Sequence, residues 1–194
     1  MDNVVVGCLG DIKCSDFYNS LKDLCNPVIF EDSSFLKINT DNQTNTYIAD
    51  VESRDRLTEL ISEIMPVRDI FIFSKLVLED DDNIKLKLDE LLTKIFLFIK
   101  YMYAPLMRQR KGKVWIMEPE IEYSKKNISE VIPLIDGFKA GIKCLTKIAA
   151  MELAKKNIVF NYISGETSVQ KIKIILEWSL NNQNIYLTAQ ELTI

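Results

Sequence analysis

The chain has 194 residues, 47% of them hydrophobic and 27% charged, with a formal net charge of -4. A chain of this length buries a sizeable core without metal or disulfide help, so residues 1–194 are expected to form one domain. The mildly acidic balance offers no basic field for nucleic acid phosphates, and the absence of histidine excludes Ser-His, Cys-His and His-metal chemistry supplied by this chain alone.

The four cysteines, Cys8, Cys14, Cys25 and Cys144, form no Cys-x-x-Cys pair, so neither a zinc ribbon nor a thioredoxin-type site is expected and the thiols read as reduced. Met1-Asp2-Asn3 is not basic and Val4 to Leu9 is a short apolar run, so no signal peptide is read and a cytoplasmic location is expected.

Val4-Val5-Val6 followed by Gly7-Cys8-Leu9-Gly10 predicts a buried strand running into a turn, where a nucleotide-binding fold sets its glycine-rich loop. A third glycine is missing and Asp11 places negative charge where phosphate would come, which favours a plain strand-to-helix turn over dinucleotide contact. Ser15 can cap a helix carrying Phe17, Leu21, Leu24 and Cys25 on one face, with Pro27 at its end. Val28-Ile29-Phe30 is a second strand. Glu31 to Asn45 is a polar surface loop in which Phe35 to Ile38 can add an edge strand. Tyr47 to Val51 is a third strand, with Asp50 suited to capping the following turn, and Arg54 to Met65 is a helix stopped by Pro66. Asp69 to Phe73 is the fourth strand, with Phe73-Ser74-Lys75-Leu76 at the turn after it.

The acidic run Glu79 to Asp82 lacks the alternating spacing of a calcium loop and reads as charge complementing the dipole of the next helix. That helix, Leu88 to Gln109, is apolar nearly all round. Lys94, Lys100 and Pro105 interrupt a stretch already shorter than the roughly 20 residues of a membrane span, so no membrane is expected. A second apolar face instead predicts a partner subunit.

Gly112 to Met117 is the fifth strand, ending in Glu118-Pro119-Glu120. If the strand continued, Glu118, Glu120 and Glu122 would share one side and could do acid/base work. Pro119 breaks it, and an exposed acidic loop is the simpler expectation.

From Gly137 to Lys156, Phe138, Ile142, Leu145, Ile148, Ala149 and Leu153 recur at threes and fours, as one helix face requires. Gly141 costs roughly 1 kcal/mol against alanine and so needs a packing reason. Ile158 to Ile163 turns strand-like, and Val169 to Leu180 is a last helix.

Lys139-Ala140-Gly141, Leu145-Thr146-Lys147, Ala150-Met151-Glu152-Leu153-Ala154, Asn157-Ile158, Asn161 and Gly165 fall in step in this region, as do Pro105 and Met107 before it. Together they resemble the short-chain dehydrogenase/reductase family, and within it the 3-oxoacyl-carrier-protein reductase type. The resemblance implies an α/β, Rossmann-like, doubly wound parallel sheet with helices on both faces, here with the substrate lid missing after Gly165. It also implies that Ile135, Pro119 and Leu92 occupy the positions of the family's catalytic tyrosine, serine and asparagine. Lys139 is retained, and Gly7, Gly10, Asp50 and Lys139 fall at vestigial cofactor-binding positions. Proton delivery by the tyrosine is worth about 10² to 10⁴ in rate, and isoleucine cannot supply it.

The first expectation is therefore an inactive protein without cofactor or metal, serving as a scaffold or partner subunit in fatty-acid or natural-product biosynthesis. It would form a homo-oligomer, or a hetero-oligomer with an active paralogue, through the Leu88–Gln109 and Gly137–Lys156 helices. The alternative is an NAD(P)-dependent oxidoreductase with a rearranged site using Lys139 and a glutamate from Glu118 to Glu122.

Overall fold

The runs around Val5, Phe71, Trp115 and Phe160 are apolar without alternation, the composition of strands covered on both faces of a parallel sheet. A computed structural model of the chain describes residues 3–12, 20–31, 46–48, 59, 62–79, 83–123, 128–165, 168–182 and 188–193. Its strands are β1 (Asn3–Gly10), β2 (Asn26–Glu31), β3 (Thr46–Ile48), β4 (Val67–Leu78), β5 (Gly112–Met117), β6 (Glu120–Tyr123), β7 (Ile158–Ser164) and β8 (Glu191–Thr193). All pair in parallel, in the order β3-β2-β1-β4-β5-β7-β8, with β6 beside the far end of β4. This is the doubly wound, Rossmann-like α/β arrangement, with the strand order reversing between β1 and β4.

Side-chain alternation divides the core between the two sheet faces. Val5, Leu9, Ile70, Ile72, Val114, Ile116 and Phe160 meet α1 (Ile84–Gln109) and α2 (Ile128–Leu153) on one face. On the other, Val4, Val6, Phe71, Phe73, Trp115 and Met117 meet Ile172, Ile175 and Leu176 of α3 (Val169–Asn181), together with Leu21. Residues 20–21 and 62–63 are also helical.

Helix α1 opens on Asn83, whose side chain accepts the Leu86 N–H. The acidic run directly precedes that cap in sequence and puts no acidic residue in the first turn; residues 80–82 lie outside the described residues. Helix α2 begins at Ile128, earlier than Gly137, runs through Pro133 and ends at Leu153 in a 3-10 turn, Ala154–Lys156. Between β7 and α3 lie only residues 165–168, which leaves no room for an intervening lid helix.

Strand β4 departs most from the sequence reading. The expected turn at Phe73 to Leu76 is strand, because Ser74 and Lys75 pair with Leu9 and Gly10 of β1 and the chain then pairs with β6 as far as Leu78. Cys8 is disulfide-bonded, against the reduced state expected for it, while Cys25 and Cys144 carry free thiols. Burial pushes the Cys25 thiol up to about 11.

A buried polar network fixes α3 to the sheet at the edge where the strands begin. The fully buried Asp69 carboxylate accepts from Trp115 Nε1 at 2.9 Å, Ser179 Oγ at 2.9 Å and Arg68 Nε at 2.6 Å. The Lys113 ammonium donates to Ser179 Oγ and to the carbonyls of Ser179 and Asn182, so it caps the carbonyl end of α3. Burial lowers the Lys113 pKa, partly offset by the nearby Asp69.

Candidate functional site

In an open parallel sheet, ligands bind beyond the carboxyl ends of the strands, at the point where strand order reverses. Here that point lies between β1 and β4, and it is bridged. β1 pairs with β4 as far as Gly10 opposite Lys75. The Asp11 N–H then donates to the Lys75 carbonyl at 2.8 Å, and the Asp11 carboxylate accepts the Val77 N–H at 2.9 Å. Asp11 thus continues the ladder where a phosphate-binding turn would open.

Both glycines of the first loop serve close approach within the chain. Gly10 has φ +79, and a Cβ there would lie 2.2 Å from the Lys75 carbonyl oxygen. A Cβ on Gly7 would lie 2.6 Å from the tip of the Phe98 ring on α1. Asp50 lies outside the described residues.

The predicted acidic loop is instead built into the fold. Pro119 interrupts but does not end the strand path, since β6 resumes beside β4. The Lys75 ammonium bridges Glu120 at 3.0 Å and Glu122 at 2.6 Å. Those two hydrogen bonds raise the Lys75 pKa, the Glu122 bond first, and the Lys75 contact lowers that of Glu122.

Glu118 goes elsewhere. It follows β5 directly, and its Oε1 accepts the Lys139 ammonium of α2 at 2.6 Å while Oε2 accepts the Gly165 N–H, just beyond β7, at 2.9 Å. Burial alone would raise the Glu118 pKa, but the Lys139 and Gly165 hydrogen bonds outweigh it and hold the carboxyl below the usual value. The sequence set Lys139 beside a glutamate left open between Glu118 and Glu122, and in the structure the glutamate that Lys139 meets is Glu118.

The other predicted positions carry no chemistry. Ile135 is buried one turn before Lys139 and belongs to the apolar core, Leu92 packs partly buried against that core, and Pro119 is buried. Not foreseen was Tyr162, a buried β7 residue whose ring lies 5.1 Å below the Lys143 ammonium. Its hydroxyl has no hydrogen-bond partner among the described residues, and burial first, then Glu118 and Glu191, raises its pKa. Within an unbroken strand of apolar composition, no sequence signal set it apart. Lys143 itself pairs with Glu191 of β8 at 2.6 Å.

Among the described residues no cluster of acidic or thiol side chains could hold a metal ion, and no helix is long and apolar enough to cross a membrane. No family model matches the chain, and no curated protein matches it. Solved structures do. A putative oxidoreductase from Escherichia coli str. K-12 superposes with a TM-score of 0.71 at 14% identity, over 99% of this chain and 95% of that one. The ElxO protein, in a tyrosine-to-phenylalanine variant with NADPH bound, superposes with a TM-score of 0.68 at 15% identity, over 100% of this chain and 97% of that one. At these identities the likeness establishes the fold.

Proposed function

We propose that this chain is a non-catalytic relative of the short-chain dehydrogenase/reductases, acting as a scaffold or partner subunit. The observation that carries this reading is the β1–β4 ladder, which continues through Asp11 and Val77 across the place a dinucleotide pyrophosphate would enter. Gly7 and Gly10 are taken up by Phe98 and the Lys75 carbonyl, and Lys139 is held by Glu118 rather than left for a ribose. Hydrocarbon or imino side chains stand where the resemblance sets the tyrosine, serine and asparagine.

The working surface is the outer side of α1 and α2, which lie on the same sheet face. Phe96 and Tyr103 of α1 and Leu134, Ile148 and Met151 of α2 are exposed there. Among the described residues no atom lies within 4 Å of a Cβ built on Gly137 or Gly141, so they supply no packing reason for Gly141. A second copy, or an active paralogue in a fatty-acid or natural-product pathway, would cover this face. The cytoplasmic location belongs to the same proposal; the Cys8 disulfide pulls the other way, since such bonds are rare in a reducing cytosol.

A second reading has its own observation. Lys139 and Glu118 form a charge-paired couple at the strand ends, as an oxidoreductase with a rearranged site would need, and one solved neighbour holds NADPH. Titrating the protein with NADPH and NADH by calorimetry separates the two. The scaffold reading expects no heat of binding at millimolar cofactor; saturable binding accompanied by turnover of a 3-oxoacyl thioester would replace it with the second.

A further inference from the structure

We propose that the junction of β5, β7 and α2 is a carboxylate-binding cradle that the chain fills with its own Glu118. Two donors from separate elements converge on one carboxylate, each taking its own oxygen: the Lys139 ammonium on Oε1 and the Gly165 N–H on Oε2. That is the geometry with which proteins hold a small planar carboxylate. A second cation stands alongside. The Lys171 ammonium lies 3.2 Å from where a Cβ on Gly165 would be, and no carboxylate pairs with it among the described residues.

The cradle is rigid on each side. Gly165 holds φ +92, a conformation open to glycine, and the Glu118 N–H donates to the Ile163 carbonyl at 2.8 Å, fixing the start of the Glu118 side chain against β7. Lys139 projects from the middle of a 26-residue helix. The Gly165 N–H and the Lys139 backbone are therefore positioned independently of the carboxylate, and both donors remain in the chain when it is removed. An external small monocarboxylate, or the carboxylate of a ligand, takes this place only when Glu118 is absent or withdrawn.

The inference goes beyond the scaffold reading and stands or falls separately from it, because its readout is anion binding and not cofactor binding. The experiment uses the full chain and its Glu118→Ala, Glu118→Gln and Glu118→Ala/Lys139→Ala variants, with thermal denaturation followed at increasing sodium formate and with sodium chloride as the ionic-strength control. Glu118→Ala is expected to gain a saturable rise in Tm with formate that chloride does not reproduce. The wild type and Glu118→Gln, whose cradles are filled, gain none, and the double variant binds formate at least about tenfold more weakly, a difference of roughly 1.4 kcal/mol. If Glu118→Ala fails to fold alone, formate in the refolding buffer restores it and chloride does not. Phosphate as a further arm tests the planar geometry and is expected to bind more weakly than formate. Equal formate responses in Glu118→Ala and the wild type, or in Glu118→Ala and the double variant, would overturn the proposal.

Discussion

At the scale of single residues, the charges sort by how completely each is answered. Asp69 is fully buried, yet its two oxygens take donors from Trp115, Ser179 and Arg68. Removing one member of such a group strands the others, so Asp69→Ala should cost about 3–5 kcal/mol. At roughly 2–4 °C per kcal/mol for a domain of this size, its melting temperature should fall by about 10 °C in a calorimetric scan. A fall of a degree or two would mean that solvent reaches Trp115 and Ser179 after all. None of this was legible beforehand. Asp69 stood at the head of a predicted strand, and what buries it is Ser179, distant in sequence and on the last helix. Lys139 was singled out by the resemblance, and Glu118 only as one of three glutamates following strand five. Their pairing depends on Gly165 as well, which only the folded sheet supplies.

At the scale of elements, the strands and long helices could be read because their apolar periods are long and uninterrupted; β5 fell on its predicted residues and α1 needed only an extension at its start. The missed elements were the second half of β4 and the short strand β6 beside it. Ser74 and Lys75 look like turn residues, and local propensity had no way to see that Asp11, just after β1, and Glu120 of β6 would bond Lys75. The same blindness applied to the glycines, which a motif reading assigns to phosphate and the structure assigns to close approach. This difference can be measured. Gly7→Ala should destabilise the fold by about 1–3 kcal/mol through its clash with the Phe98 ring, and Phe98→Leu in the same chain should recover part of that loss in urea denaturation. Strict additivity of the two changes would mean that Gly7 answers to something other than α1.

At the scale of the whole molecule, the doubly wound sheet is what the family resemblance implies, and the described strands bear it out, with α1, α2 and α3 joining β4 to β5, β6 to β7 and β7 to β8. On the scaffold reading, a partner covers the outer side of α1 and α2. Light scattering should show an oligomer for the wild type, and Ile148→Glu, placing a charge on an exposed and otherwise apolar position, should shift it to monomer with Tm almost unchanged. A monomeric wild type would remove the helix face from the proposal. The overhang of β4 has a further consequence, for reversal. If an ancestor of this chain was a working reductase, returning tyrosine and serine to positions 135 and 119 would restore the reactive groups and still leave the doorway laced shut by Asp11, Lys75 and Val77. On the proposed reading, the way back to chemistry then runs through the backbone of this ladder as well as through the lost side chains.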